Sequence, residues 1–284
     1  MNDGHMSERI DLHAHSNASD GTLTPAELVV AASEAGLDVV ALTDHDTTSG
    51  WPAAVAARPA GLTLVRGAEL SCRWHGVRPG IALHLLGYLF DPAEPELAAE
   101  RTRASSAERM VDLLRADGID VSWAEVLADA AGGTVGRPHL ARALVRLGLV
   151  GTVGEAFGPA WLGERYRLPK DDIDVFRALE LIRAAGGVAV FAHPKASVRG
   201  RIVPDSLIVE LAAAGLFGLE AEHEDHTPAQ RAQVRALAAG LGLVVTGSSD
   251  FHGSNKTVAL GANLTDPAAY EKIVGAARGV APVG

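Results

Sequence analysis

Apolar runs and segments of helical periodicity alternate along most of the chain. Short runs rich in Val, Ile and Leu predict strands that are buried on one or both faces. About seven such runs occur, at residues 9–12, 38–42, 62–65, 81–86, 188–191, 218–221 and 243–246. Because helical segments join most of them, the pattern favours an α/β fold, either a parallel barrel or an open sheet.

Helix starts are marked by two capping boxes. Thr24 precedes Pro25 and is followed by Glu27, and the same order recurs from Thr227 to Gln230. The Thr side chain can cap an amide in the first turn while the Glu or Gln returns to the Thr amide, so a helix is expected directly after each threonine. Further helices are predicted at residues 51–57, 175–185 and 207–214, and a hairpin loop at 74–80.

The pattern changes at residues 91–96, where two prolines and three acidic residues interrupt it. From residue 97 to about 161 no β-rich run occurs, and apolar positions at helical spacing predict several helices separated by glycines. We therefore predict a main domain made of residues 7–91 and 170–284, with a helical insert at residues 92–169.

Charge and cysteine content narrow the possible functions. The 284 residues carry a formal net charge of −10, which argues against sequence-independent binding of long nucleic acid, because such binding depends on Lys and Arg. No stable nucleic-acid complex is therefore expected. Cys72 is the only cysteine, so an intrachain disulfide is impossible, and neither an apolar leader nor an apolar stretch of membrane-spanning length occurs. We expect a cytoplasmic protein without a membrane partner.

Ionisable side chains collect at the ends of the predicted strands. In chain order they are His13, His15, Asp44, His45, Asp46, Glu69, His84, His193, Glu220, Glu222, His223, Asp250 and His252. Sites in parallel barrels and open sheets form at the carboxyl ends of the strands, so these side chains are expected to meet in one cup. Crowded imidazoles and carboxylates perturb one another's pKa values, and divalent cations remove that conflict by binding both kinds of group.

Individual residues have simpler explanations. A single His at a strand end is more often hydrogen-bonded than a ligand, Asp20 is also typical of a turn, and Asp44 also suits a helix cap. The coincidence at all the predicted strand ends is what favours a metal centre. Two further features support a metal centre. His13 and His15 share one strand face, and Glu69 has two oxygens with which to bridge two ions.

Five short motifs resemble those of the PHP (polymerase and histidinol phosphatase) family. They are DLHAHS at 11–16 with SDG at 19–21, TDHD at 43–46, GAE at 67–69, AHP at 192–194 and SSDFH at 248–252. The resemblance implies an α/β fold built on a distorted seven-stranded barrel. The insert, with GRPH at 136–139, resembles that of stand-alone phosphatases acting on nucleotides, including 3′,5′-bisphosphates, a subgroup also linked to trimming the 5′ ends of short RNA. The insert is then expected to cover the active site.

The resemblance also implies divalent ions, three per chain, with manganese as the usual metal and iron or zinc as alternatives. One ion would be held by His13, His15, Glu69 and Asp250. A second would be held by Glu69, His84 and His193, and a third by Asp20, His45 and His252. The family pattern of ligands is complete in this sequence, whereas a missing ligand would have favoured a non-catalytic metal-binding or regulatory module.

The expected function is hydrolysis of nucleotide phosphomonoesters by a metal-activated hydroxide, with nucleoside monophosphates, 3′,5′-bisphosphates or 5′ ends of short RNA as substrates. Two ions that share a water would lower its pKa, and the hydroxide would attack phosphorus in line. The expected catalytic residues are Asp20, His45, Glu69 and His226, with His226 or His223 as proton donor to the leaving oxygen. Expected substrate contacts are Arg103, Arg137, His139, Lys170, His223 and His226. For His223 and His226, a hydrogen-bonded loop role is an equal alternative.

Two other enzyme classes stay open. A metal-dependent amidohydrolase also uses a barrel and a His-x-His opening, but it commonly bridges its ions with a carboxylated lysine. Here Glu69 takes that position, and the few lysines lie elsewhere in the sequence. A histidinol-phosphate-type phosphatase would share the metal site and differ in substrate. Assays with amide and deamination substrates would separate an amidohydrolase from a phosphoesterase.

Overall fold

A computed structural model describes residues 8–103, 107–129, 137–166 and 172–284. The strands are β1 (Ile10–Ala14), β2 (Val39–Leu42), β3 (Thr63–Trp74), β4 (Ile81–Tyr88), β5 (Ile173–Asp174), β6 (Val188–Phe191), β7 (Gly218–Glu222) and β8 (Val244–Gly247). The helices are α1 (Pro25–Glu34), α2 (Trp51–Ala57), α3 (Pro95–Arg103), α4 (Ala107–Ala116), α5 (Trp123–Asp129), α6 (Arg137–Arg146), α7 (Val153–Ala156), α8 (Val175–Ala184), α9 (Asp205–Ala213), α10 (Pro228–Leu241) and α11 (Pro267–Ala276). Short 3₁₀ helices lie at Ser197–Arg199 and Gly253–Asn255.

Seven strands form a nearly closed barrel in the order β1-β2-β3-β4-β6-β7-β8, and the short β5 pairs with β3 outside this path. The first strand approaches the segment after β8, where the His15 amide donates to the Phe251 carbonyl at 2.8 Å. A parallel bridge between Ala14 and Phe251 accompanies this bond. The predicted α/β fold with a distorted seven-stranded barrel is confirmed.

One strand departs from the parallel arrangement that the sequence pattern favoured. β4 runs antiparallel to both β3 and β6, whereas the other neighbours in the barrel order are parallel. The reason is the short connection at residues 75–80, because a parallel pair needs a crossover of a dozen or more residues. The hairpin loop predicted there is therefore correct, and a fully parallel barrel is wrong.

β3 is much longer than the predicted run at residues 62–65 and continues to Trp74. In its second half polar and apolar residues alternate, which is the two-residue period of a strand. Leu70 and Cys72 pack in the main hydrophobic cluster, and the alternating residues Glu69 and Ser71 belong to the opposite face. Glu69 therefore lies within a strand, paired opposite Leu86 of β4, and not at a strand end as predicted.

Both predicted capping boxes are present. Thr24 with Glu27 caps α1, and Thr227 with Gln230 caps α10, each through reciprocal bonds between a side chain and a backbone amide. The apolar faces of α1, α2, α8, α9 and α10 join the strands in one large buried cluster. The helices thereby hold the strands in register and fix the strand ends that carry the site.

The described residues between 95 and 166 form helices and no strands. Leu114, Leu140 and Tyr166 belong to a hydrophobic cluster whose described members all come from this part of the chain. Leu97 of α3 packs instead in the barrel cluster, and α3 contacts α8. The insert boundaries at 92 and 169, and the position of the insert over the active site, stay predictions. Among the described helices, none combines the length and apolar character needed to cross a bilayer.

Candidate metal centre

Four predicted ligands from three parts of the barrel meet in a small, fully buried group. His13 Nε2 and His15 Nε2 lie 2.9 Å apart, and both face Glu69 Oε2, at 3.0 and 3.1 Å. Asp250 Oδ1 lies 3.4 Å from His13 Nε2 and 3.3 Å from His15 Nε2. These four ligand atoms form the group that we call the inner group.

The spacing in the inner group fits a metal ion. An ion about 2.1 Å from its ligands keeps neighbouring ligand atoms about 3.0–3.4 Å apart in octahedral or tetrahedral geometry. Two buried atoms here, Asp250 Oδ1 and His15 Nδ1, have no hydrogen-bond partner. A buried carboxylate oxygen without a partner is costly, and a cation among these atoms would satisfy it.

The second oxygen of Glu69 faces two further imidazoles. Glu69 Oε1 lies 2.7 Å from His84 Nδ1 and 3.2 Å from His193 Nε2. His45 Nδ1 lies 3.4 Å from the other oxygen, Oε2, so His45 also reaches this group. The Nδ1 atoms of His45 and His84 are buried, and neither has the geometry of a hydrogen bond in spite of the nearby Glu69 oxygen. Glu69 thus presents one oxygen to each of two ligand groups, which is the arrangement that a bridging carboxylate requires.

The third group consists of His15, Asp20, His45 and His252. We call the three groups together the ligand cluster, and this third group lies at its solvent-exposed side. Asp20 Oδ1 is 3.3 Å from His252 Nε2, and Asp20 Oδ2 is 3.7 Å from His45 Nε2. The side chain of Asp20 is 32% exposed, whereas that of Glu69 is 1% exposed. Solvent therefore reaches these ligand groups from the side of Asp20.

Comparison with known proteins agrees with this geometry. Residues 11–114 match the PHP domain family. The 5′-3′ exoribonuclease of Haemophilus influenzae is 37% identical over 270 residues, which cover 91% of this chain and 95% of that protein. The chain belongs to the PHP domain family.

Other PHP relatives extend the comparison. The 3′,5′-nucleoside bisphosphate phosphatase of Chromobacterium violaceum is 34% identical over 259 residues, which cover 86% of this chain and 87% of that protein. The crystal structure of a protein assigned as a metal-dependent phosphoesterase from Bifidobacterium adolescentis superposes with a TM-score of 0.83 at 35% identity, covering 95% of this chain and 97% of that chain. The predicted family and the predicted class, a metal-dependent phosphoesterase, are confirmed.

Two of the proposed ligands have an uncommon backbone conformation. His193 has φ 33° and Asp250 has φ 51°, both in the left-handed region that residues other than glycine rarely adopt. Each lies just after a strand, where the chain turns out of the barrel. Such conformations persist only where the surrounding structure holds them, and they are typical of residues whose side chains must be aimed at a site.

Glu220 supports the inner group from behind. Its Oε1 atom lies 3.1 Å from His13 Nδ1 and accepts from the Ser248 hydroxyl, and its Oε2 atom accepts from the His193 amide at 2.8 Å. With Nδ1–H donated to Glu220, the lone pair of His13 Nε2 faces the inner group, as a metal ligand requires. The sequence placed Glu220 at a strand end without assigning this role.

Burial favours the neutral, metal-binding form of two imidazoles, whereas carboxylates favour the protonated form of two others, His13 and His15. Burial lowers the pKa of His45 well below its ordinary value and that of His193 to about 3. Burial alone would raise the pKa of Glu69, but the imidazoles around it, those of His13 and His45 among them, hold it well below its usual range. Neighbouring carboxylates overcome burial at His13 and raise its pKa well above normal, so an ion must displace a proton there.

His226 was predicted to donate a proton to the leaving group, and its contacts argue against that role. Its Nε2 atom accepts from the Lys195 amide at 3.1 Å, and its Nδ1–H donates to the Ala221 carbonyl at 2.9 Å. Both ring nitrogens are therefore occupied by backbone groups, and the ring is 3% exposed. His226 therefore has no free ring nitrogen with which to donate a proton or contact a substrate.

His223 contacts a proposed ligand. The Asp225 amide donates to His223 Nδ1 at 3.0 Å, which leaves the proton on Nε2, and Nε2 donates to Asp250 Oδ2 at 3.2 Å. The ring is 1% exposed. His223 is therefore placed to orient Asp250.

Two cations near the cluster were missed by sequence reasoning. The Arg199 guanidinium contacts Asp250 Oδ2 through Nη2, and its Nη1 atom lies 3.1 Å from His193 Nε2. Lys256 Nζ lies 2.6 Å from the same Asp250 oxygen, so one lysine is closer to the site than its sequence position suggested. Neither residue lies in a motif, and a lone basic residue in a loop carries no spacing signal.

The predicted substrate contacts of the insert receive no support from the described geometry. The Arg137 guanidinium lies over the Phe157 ring, 5.6 Å from its centre, within the insert itself. His139 is fully buried in α6. The side chain of Arg103 and the whole of Lys170 lie outside the described residues. The roles of these four residues stay predictions.

Proposed function

We propose that this PHP chain hydrolyses phosphomonoesters of nucleotides, either nucleoside monophosphates or 3′,5′-bisphosphates, with the 5′ ends of short RNA as a further substrate. The observation that carries the proposal is the position of Glu69. Its two oxygens face five imidazoles at 2.7–3.4 Å, in the buried centre of an acidic and histidine-rich cup. The names of the two curated relatives support the nucleotide or RNA class of substrate.

We propose that three divalent ions occupy the cup, held by His13, His15, Asp20, His45, Glu69, His84, His193, Asp250 and His252. Six of these ligands are imidazoles, which suits manganese, iron or zinc better than the hard ions that prefer oxygen alone, and manganese is our first choice. When bound, such ions supply Lewis acidity and lower the pKa of water. Three divalent ions also outweigh the three carboxylates, so the loaded cup would attract an anionic substrate.

The residues of the chain itself would bind and orient the substrate at the exposed side of the cup. Asp20, His45 and His84 are the partly exposed members of the set, with side chains 24–32% exposed. The more deeply buried Glu220 and His223 would hold the side chains of proposed ligands in place. We keep Asp20 and His45 as proposed catalytic residues because they lie at this exposed side, and Glu69 because its two oxygens face both ligand groups.

The test is a metal-replacement assay. Prolonged chelation should abolish phosphate release, and Mn²⁺ should restore it better than Mg²⁺. The substrate panel should hold nucleoside monophosphates, a 3′,5′-bisphosphate, a short 5′-phosphorylated RNA, histidinol phosphate and amide substrates. Full activity in protein shown by elemental analysis to be free of metal would contradict the proposal. Hydrolysis of the amides alone would indicate an amidohydrolase. A cytoplasmic location stays a prediction.

A further inference from the structure

Two cations converge on one carboxylate oxygen at the edge of the metal centre. Lys256 Nζ lies 2.6 Å from Asp250 Oδ2, and Arg199 Nη2 contacts the same atom. The His223 Nε2 atom is a third donor to it, at 3.2 Å. The other oxygen of Asp250 faces the opposite way, 3.3 Å from His15 Nε2. One carboxylate therefore lies between the inner group and both cations.

A cavity of about 340 Å³ opens on the side of the cations. Lys256, Arg199, Ser254 and Asn255 are among the residues that line it, and Asp250 is the one proposed metal ligand among them. The cavity is thus beside the metal centre and not part of it. Its volume exceeds that of a phosphate group and leaves room for part of a sugar.

The lining is held in place before any substrate arrives. Asn255 Nδ2 donates to the Asp20 carbonyl at 2.8 Å, and the Ser254 amide donates to Thr22 Oγ1 at 3.0 Å. These bonds join the loop that carries Lys256 to the loop that carries a proposed ligand. Across the cavity, Arg199 Nε donates to an Asp225 oxygen at 2.6 Å. Such preorganisation lowers the entropic cost of binding a charged group.

The charge balance of this cavity changes when the metal centre is loaded. In the structure the negative charge of Asp250 compensates Arg199 and Lys256, whose side chains are 29% and 32% exposed. A metal ion bound to Asp250 would also draw on that negative charge. Asp225 remains paired with Arg199, and the other acidic lining residue, Glu224, is exposed. The uncompensated positive charge therefore lies at Lys256 and at the part of Arg199 near Asp250, where an anion would be attracted.

We propose, on the basis of the proposed function, that this cavity is a subsite for a second anionic group of the substrate. That group is a phosphate or phosphodiester that is not hydrolysed, and Lys256 and Arg199 are its cationic contacts. The subsite would favour substrates with two phosphates over simple monoesters. Lys256 and Arg199 would act as specificity determinants, because they would contact the phosphate that is not hydrolysed.

Binding of inert ligands tests the subsite without turnover. The probes are propane-1,3-diphosphonate and propylphosphonate, whose carbon–phosphorus bonds are not ester bonds, titrated calorimetrically into Mn²⁺-loaded protein. Wild-type protein should bind the diphosphonate at least about tenfold more tightly, as expected for one added charge-assisted contact. Lys256→Gln should lose most of that preference and Lys256→Arg should retain it. Lys272→Gln, an exposed change on α11, is the matched control.

Kinetics then relate the subsite to the reaction. The ratio of kcat/KM for adenosine 3′,5′-bisphosphate to that for p-nitrophenyl phosphate should fall about tenfold in Lys256→Gln and in Arg199→Gln, with metal content measured in each. A wild-type diphosphonate preference in Lys256→Gln, or an unchanged kinetic ratio, would overturn the subsite. If loaded wild-type protein released phosphate from neither ester, the proposed function would fail, while the phosphonate titrations would still decide the subsite.

Discussion

Replacing Glu69 by Gln tests the centre of the proposed site most directly. The amide keeps the shape of the side chain but removes a charge that lies about 3 Å from the facing ligand nitrogens. The opposite charge would be that of a cation bound among these nitrogens, and a unit charge pair at about 3 Å contributes about 5 kcal/mol at an effective dielectric constant of 20. If reorganisation offsets about half of this, roughly 3 kcal/mol remains, which corresponds to about a 10²-fold change.

The amide also creates a steric and electronic conflict. One of its ends is an NH₂ group, which must point either at the inner group or at His84 and His193, where lone pairs are needed for ions. We therefore expect Glu69→Gln to lose bound metal and to lower kcat/KM by at least about 10²-fold.

The assay pairs elemental analysis with phosphate release from the same preparation, at equal added Mn²⁺. Glu180→Gln is the matched control, because Glu180 is 67% exposed on α8 and lies outside the cup. The control should keep its metal and its rate. A Glu69→Gln protein that retained full metal content and near wild-type turnover would refute the bridging role and the electrostatic reasoning behind it.

Three further changes test the surroundings of the cup. Glu220→Gln should weaken metal affinity about 10–100-fold through loss of the partner of His13, with activity restored by excess Mn²⁺, and unchanged affinity in a metal titration would contradict its supporting role. His226→Ala should lower the melting temperature by several degrees, since each orphaned backbone partner costs about 1–3 kcal/mol, and should leave the shape of the pH–rate profile unchanged, whereas loss of the alkaline limb would restore it as proton donor. Arg137→Ala should keep its metal and lose about 1.5–3 kcal/mol in kcat/KM on nucleotides but much less on p-nitrophenyl phosphate, and no loss on either would contradict a substrate contact.

Local signals in the sequence were sufficient for much of the fold. The capping boxes at Thr24 and Thr227 depend on residues within one helical turn, so they could be recognised without tertiary information. The length of β3 could not, because its second half is polar at alternate positions and is held by pairing with β4. Glu69 was therefore placed at a strand end, although its motif was recognised.

In the candidate site, too, the residues in short motifs could be predicted and their partners from distant parts of the chain could not. Residues such as His13, His15 and Asp250 lie in short motifs whose spacing is typical of metal ligands. Their supporting partners come from distant parts of the chain, as Glu220 does for His13 across 207 residues. Arg199 was missed because only the folded barrel brings its loop against Asp250. Pairings of this kind leave no pattern in a single sequence.

The left-handed backbone at His193 and Asp250 lowers the stability of the fold while it holds two proposed ligands in place. Such a conformation costs about 1–3 kcal/mol at a residue other than glycine. Glycine at position 193 would relax the backbone and remove a proposed ligand in a single substitution. A mutational scan scored on folded abundance without metal should therefore tolerate His193→Gly far better than a scan scored on phosphate release, and equal intolerance in both would contradict this view. In a lineage no longer selected for the reaction, position 193 is where we expect the site to decay first.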